Sequence, residues 1–136
     1  MSLEEMNRNV IEEFRSNNGI VSGQFEGMPL LLINCIGAKT GAVRTKPLAY
    51  YADGDRYVII ASFAGARAHP PWYHNLVANP EIDIEVGAET FRAKAEVIPE
   101  PERTELYGKI AEQMPIFATY QDKTERVIPL IGLNRL

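Results

Sequence analysis

LLLINCIGAKTGAVRTKPLAYYADGDRYVIIASFAGARAHPPWYHNLVAN, residues 30–79, carries three strand signatures and two glycine-containing loops, and its reading decides the fold. Leu30 to Ile36 has no charged residue, which predicts a strand covered on both faces. Gly37 and Gly41 frame a hairpin loop. Val43 to Ala52 is a second strand, Asp53-Gly54 is a two-residue hairpin turn, and Arg56 to Ser62 is the returning strand. Lys46-Pro47 interrupts the ladder, because proline has no amide to donate, so a bulge or an edge position is expected there. Residues 63–70 read as a loop. Pro71 then suits the first turn of a short helix, Trp72 to Val77, closed by Asn79-Pro80.

Working outward, Ile82, Ile84 and Val86 alternate with Asp83 and Glu85, a half-buried strand. Gly87-Ala88 turns it into Glu89 to Val97, where Phe91, Ala93, Ala95 and Val97 alternate. Pro99-Glu100-Pro101-Glu102 opens a helix with acids at its positive end, running to about Gln113. Pro115 ends it, a short turn from Ile116 to Tyr120 follows, and Val127 to Leu133 is the last strand. At the other end, Ser2 with Glu5 has capping-box spacing. Met6, Val10, Ile11 and Phe14 recur at helical intervals, and Asn17-Asn18-Gly19 supplies the stop. Six strands with an N-terminal helix and two or three short helices make a mainly β (α+β) domain. So many short strands are best resolved by closing a barrel. The expected organisation is one domain, 1–136, with the helix in 1–19 and the barrel in 25–136.

Bulk properties narrow the classes. The chain has 136 residues, 46% hydrophobic and 24% charged, ordinary for a globular domain. Its longest apolar run is too short to cross a bilayer, and its first residues lack a secretory pattern. Cys35 is the single cysteine, so no internal disulfide forms, and its apolar strand suggests a buried, inert thiol. These features lead us to expect a cytoplasmic protein. A net charge of -4 argues against a nucleic-acid binder. Within residues 38–68, however, five cations (Lys39, Arg44, Lys46, Arg56, Arg67) face two acids (Asp53, Asp55). That segment is +3 and the remainder -7, which suggests a local anion site, or clustering on solvated faces.

The loop Gly37-Ala38-Lys39-Thr40-Gly41, with Arg44 beyond it, can turn several amides one way and adds two cations and a hydroxyl. It suits a phosphate, or is a solvated hairpin tip. It lacks the GxxxxGK[ST] spacing of a P-loop. Ser62-Phe63-Ala64-Gly65 follows a buried strand, where small residues admit either a ligand or a plain connection. His69 and His74 are five apart rather than four and no carboxylate lies between them, so no metal site is expected. Trp72 is expected to pack its helix on the barrel, with His69 and Asn75 hydrogen-bonding locally. Phe117 and Tyr120, three apart, share one face of a turn. They line a ligand or fill the core.

Four blocks in this order carry a resemblance: I-G-A-K-T-G-x-x-R-T-x-P-L, then D-G-D-R-Y-V-I-I-A-S, then H-P-x-W-Y-H-N-L-x-A-N-P, then T-Y-Q-x-x-T-x-R-x-I-P. Across roughly residues 25–136 the chain resembles the deazaflavin-dependent nitroreductase family, which is typical of actinobacteria. The resemblance implies a split β-barrel of the FMN-binding type and coenzyme F420, an 8-hydroxy-5-deazaflavin with a phosphodiester and a polyglutamate tail. It implies hydride transfer from the reduced cofactor to a quinone, nitroaromatic or activated alkene. Lys39, Thr40, Gly41, Arg44, Thr45 and Pro47 would then hold the cofactor's phosphate and tail end. Ser62, Phe63, Ala64, Gly65, His69, Trp72, Tyr73 and Asn75 would surround its ring. Ser62 and Tyr120 would be catalytic, and Phe117 and Tyr120 would face the substrate.

Two departures stand out. Phe63 replaces a lysine found in such relatives, and Phe117 replaces a second substrate-facing tyrosine, which bears on nitroimidazoles more than on hydride transfer. The alternatives are a non-catalytic F420 or tetrapyrrole carrier, and an FMN-dependent oxidoreductase on the same barrel. A quinone acceptor would also bring the protein to a membrane surface without insertion, and split barrels often form homodimers.

Overall fold

The computed structural model describes residues 2–23 and 27–136. Helix α1 (Leu3–Ser16) begins where Ser2 Oγ accepts the amide of Glu5 at 3.2 Å. It stops where Asn18 and Gly19 turn left-handed, and the Gly19 amide donates to the Phe14 carbonyl at 2.8 Å. Only glycine fits at 19: a Cβ there would lie 2.7 Å from Gly87 Cα. Phe14 is buried, and with Val10 and Ile11 it packs on Leu30 and Leu32. The apolar stripe of α1 thus covers the outer face of the first strand.

The strands are β1 (Leu30–Ile36), β2 (Val43–Asp53), β3 (Arg56–Ile60), β4 (Glu81–Val86), β5 (Glu89–Val97) and β6 (Leu130–Arg135). They close into an antiparallel barrel in the order β1-β2-β3-β6-β5-β4, the mainly β class that the strand count suggests. Alternation sorts the side chains. Leu31, Ile33 and Cys35 of β1 join Ile59, Ile82, Ile84, Ala93, Ile131 and Leu133 in one core. Helix α2 (Pro71–Ala78) adds Trp72 and Leu76 to it. Helices α3 (Glu102–Gln113) and α4 (Ile116–Asp122) close a second core with Val58, Ile60 and Leu130.

β2 serves two neighbours. Residues Val43 to Ala49 pair with β1, and Tyr50 to Asp53 pair with β3. Pro47 lies opposite Leu32 in unbroken register, in the half that β3 does not reach. It is an edge position and not a bulge, so its missing amide leaves no ladder bond unmade.

Beyond shifts of one residue at the end of β2 and at both ends of α2, three elements differ from the sequence reading. β3 stops at Ile60 because Ser62 enters a 3-10 turn, Phe63–Gly65. The last strand runs from 130 to 135 and not from 127 to 133. Pro129 has no amide, and side chains fix the segment before it: Gln121 Nε2 donates to the Arg126 carbonyl at 2.8 Å, and the Ile128 amide donates to Gln121 Oε1 at 3.1 Å. Residues from Ile116 form a helix, α4, because Pro115 also starts one: its carbonyl accepts from Ala118 and Thr119. Buried Arg103 ties α3 to this region by donating to the Ile128 carbonyl at 2.9 Å and to Gln121 Oε1 at 2.6 Å.

Candidate functional site

The β1–β2 hairpin tip is braced from within and from the side. The Gly37 amide donates to the Ala42 carbonyl at 2.8 Å and the Gly41 amide to the Gly37 carbonyl at 2.9 Å. The Ala42 amide donates to Thr40 Oγ1 at 3.2 Å. From α2, Asn75 Oδ1 accepts the Ala38 amide at 3.0 Å, and Asn79 Nδ2 donates to the Ile36 carbonyl at 3.3 Å. Among the described residues, this leaves the amides of Lys39 and Thr40 and the hydrogen of the Thr40 hydroxyl for another partner.

A cavity of about 730 Å³ opens between this tip and α2, a size that suits a small organic ligand. Cys35, Leu48 and Trp72 give it apolar walls, with Pro47, Pro70 and Pro71. Lys39, Arg44 and Lys46 line it too. Among the described residues no carboxylate lines it and none of these cations has an ion pair. Strand alternation explains the grouping: Arg44, Lys46 and Leu48 share one face of β2. Thr45 faces the other way, and its hydroxyl donates to Asn34 Oδ1 at 2.6 Å. Burial pushes the Cys35 thiol up to about 12, so it is no nucleophile near neutrality.

The far wall carries Phe63 and His69. Phe63, Ala64 and Gly65 have φ of 47°, 53° and 80°, a left-handed run that costs about 1–2 kcal/mol at each non-glycine position. The third position must be glycine: a Cβ at 65 would meet the Tyr120 carbonyl at 2.9 Å. Arg126 holds the run from below. Its Nη2 donates to the carbonyls of Ala61 (3.2 Å) and Ser62 (2.8 Å), its Nε to that of Ala66 (2.8 Å), and its Nη1 lies 2.9 Å from His69 Nδ1. Burial, then Arg126 and then His74 hold His69 below the usual imidazole range.

Of the residues read from the sequence, Lys39, Thr40, Arg44, Pro47, Phe63, His69, Trp72 and Asn75 line the cavity together. Gly41, Thr45, Ser62, Ala64, Gly65 and Tyr73 stand beside lining residues and do not line it themselves. Ser62 is 8% exposed and precedes Phe63, while the Tyr73 ring lies tilted against His69 with centroids 4.6 Å apart. Tyr120 and Phe117 are not brought there. They meet edge to face at 5.8 Å on α4, in or against the second core, and the Phe117 carbonyl accepts from Tyr107 Oη at 2.6 Å.

Several residues escaped the site reading: Lys46 and Leu48 line the cavity from the same face of β2 as Arg44, and two others are less expected. Arg126 sits in the fourth block, but a lone arginine before a strand reads as a surface charge. Asn7 of α1 lines the cavity, and nothing in its helical pattern points across to β2.

Residues 5–134 match the family described as F420H(2)-dependent quinone reductase. An F420H(2)-dependent quinone reductase of Mycobacterium tuberculosis (strain ATCC 25618 / H37Rv) is 38% identical over 126 residues, 90% of this chain and 85% of that protein. The solved structure of an F420-H2 dependent reductase (FDR-A) is 33% identical with a TM-score of 0.71, covering 78% of this chain and 94% of that one. Another, described as a domain-swapped dimer, is 30% identical with a TM-score of 0.73 and covers 97% and 96%.

Proposed function

We infer the function from one premise: the chain belongs to the F420H(2)-dependent quinone reductase family. It is an oxidoreductase that uses reduced coenzyme F420, and that cofactor supplies the hydride. The residues present fit the group. Three cations without an ion pair among the described residues, two amides and a hydroxyl suit a phosphodiester with an acidic tail, while proline and tryptophan walls suit a flat ring. We assign the anionic arm to Lys39, Thr40 and Arg44, and the ring to the region of Pro47, Phe63, His69, Trp72 and Asn75. The observation that carries this reading is the set of cations that, among the described residues, have no acidic partner on the wall of a largely apolar cavity.

The chain's own part in the reaction is to bind, orient and exclude water. The acceptor classes we propose are quinones first, then nitroaromatics and activated alkenes, since all are flat and apolar and gain electron density at an oxygen or carbon. Ser62 lies behind Phe63 and does not line the cavity, so it is proposed as a donor to the developing charge only for an acceptor that reaches past Phe63. Tyr120 is proposed to act only on an acceptor that reaches across the Phe63–Gly65 turn, against which α4 packs. Phe117 is buried, and we propose no substrate contact for it.

A fluorescence titration with F420 and FMN in parallel tests the cofactor assignment. Following reduced F420 with menadione tests turnover: F420 binding without oxidation above background would make the chain a carrier. Among the described residues no helix is long and apolar enough to cross a membrane. Contact with a membrane surface draws support from exposed Val43, Phe63 and Ile116 and is tested by vesicle co-sedimentation. A homodimer draws support from the domain-swapped relative and is tested by light scattering.

A further inference from the structure

We propose that Arg126 is a positioning residue of the cavity wall: its guanidinium locks the left-handed turn Phe63–Gly65 and fixes His69 as a neutral donor through Nε2. Nothing in the family match assigns either role. An arginine has only donors, so the contact of Nη1 with His69 Nδ1 at 2.9 Å requires Nδ1 to be the acceptor. The ring hydrogen then sits on Nε2. That atom has no partner among the described residues, and His69 is one of the residues that line the cavity.

All three nitrogens of the arginine fork are engaged, through four contacts. Three backbone carbonyls, at 61, 62 and 66, span the turn, so the turn and the imidazole are held by one rigid plane. The groups around His69 are Arg126 from the segment before β6, and Tyr73 and His74 from α2. Protonated His69 would face Arg126 with no acceptor to offer, so the neutral form is the one this geometry selects. The hydrogen on Nε2 suits an oxygen acceptor, a ring carbonyl or a phosphoryl oxygen.

Toward the cofactor the inference rests on the reading that F420 occupies the cavity. Nitrogen-15 NMR of the ligand-free protein near pH 7.5 tests it apart from that reading. The expected result is His69 in the Nε2–H form, and in Arg126→Met a mixture of tautomers with a higher titration midpoint. F420 titration supplies the second readout. Arg126→Met should raise the dissociation constant about tenfold or more, the loss expected when charge-assisted bonds go. His69→Gln, which can accept from Arg126 and still donate, should retain most of the affinity. His69→Phe keeps the aromatic contact and should not. A hydrogen on Nδ1, or Gln and Phe variants that bind alike, would overturn the proposal, and the histidine pair decides it even if Arg126→Met fails to fold. Absent F420 binding with the expected tautomer would defeat the cofactor assignment and leave the Arg126–His69 device standing.

Discussion

Asn75 on α2 accepts the Ala38 amide at 3.0 Å, so the helix that carries Trp72 and the hairpin tip that carries Lys39 are one assembly. The apolar wall and the cationic wall of the cavity are therefore held at a set separation. Asn75→Ala should cost about 1 kcal/mol of stability, the worth of one hydrogen bond, read as a small fall in Tm. F420 affinity should fall with it, because the tip is no longer held against the helix. Unchanged affinity in a folded variant would detach the tip's position from binding.

Arg44→Ala should weaken F420 binding by about 1.5–3 kcal/mol, the value of a lost charge-assisted bond. Lys39→Ala should act in the same direction but less, because an ammonium on a flexible stem is less preorganised. Both losses should shrink as salt is raised. Isothermal titration at two ionic strengths reads both effects, and an Arg44 variant with full affinity would remove that residue from the site.

The Cys35 thiol, raised by burial from an ordinary 9.0 to about 12, gives a pH signature. Between those values the unfolded chain has lost a proton that the folded chain keeps, so stability should fall as pH rises above about 9. Cys35→Val should flatten part of that slope in urea titrations, the tyrosines accounting for the rest. Native protein should resist thiol reagents near pH 8 and react after denaturation.

Arg15 grips Glu85 with two hydrogen bonds, 2.9 and 2.8 Å, and so pins α1, which brings Asn7 to the cavity. The bond from Arg15 holds the Glu85 carboxyl below its usual range. A lowered carboxyl stabilises the fold above the ordinary carboxylate value and loses that contribution as pH falls toward the folded value. Arg15→Met should cost about 0.5–1 kcal/mol at pH 7, since the arginine is half exposed, and the difference from wild type should narrow in acid. Equal gaps at both pH values would rule the ion pair out as the cause. Asn7→Ala should alter F420 affinity with little change in Tm.

The strands, the hairpin turn at Asp53-Gly54 and the helix after Pro71 were legible because their signals are local: period-two alternation, turn residues and proline placement. The end of β3 and the start of β6 were not. Side chains from other elements decide them: Gln121 of α4 and Arg103 of α3 fix residues 126–128, and Arg126, some 60 positions away, fixes residues 61–66. The cationic tip was visible as a charge cluster. Thr45 could not be told from Arg44 by composition, since only the tertiary structure shows its hydroxyl spent on Asn34.

By itself, the order of residues determined the barrel class, the cationic hairpin and the four blocks that mark the family, because each of these is written in neighbouring positions. Tertiary structure alone decided which of those groups share a cavity. It set Asn7 and Arg126 at the site and left Phe117 in the core. The physical reason is that hydrogen-bond geometry and packing couple residues some 60 positions apart, as in the Arg126–Ala66 bond, and a linear pattern holds no record of such distances.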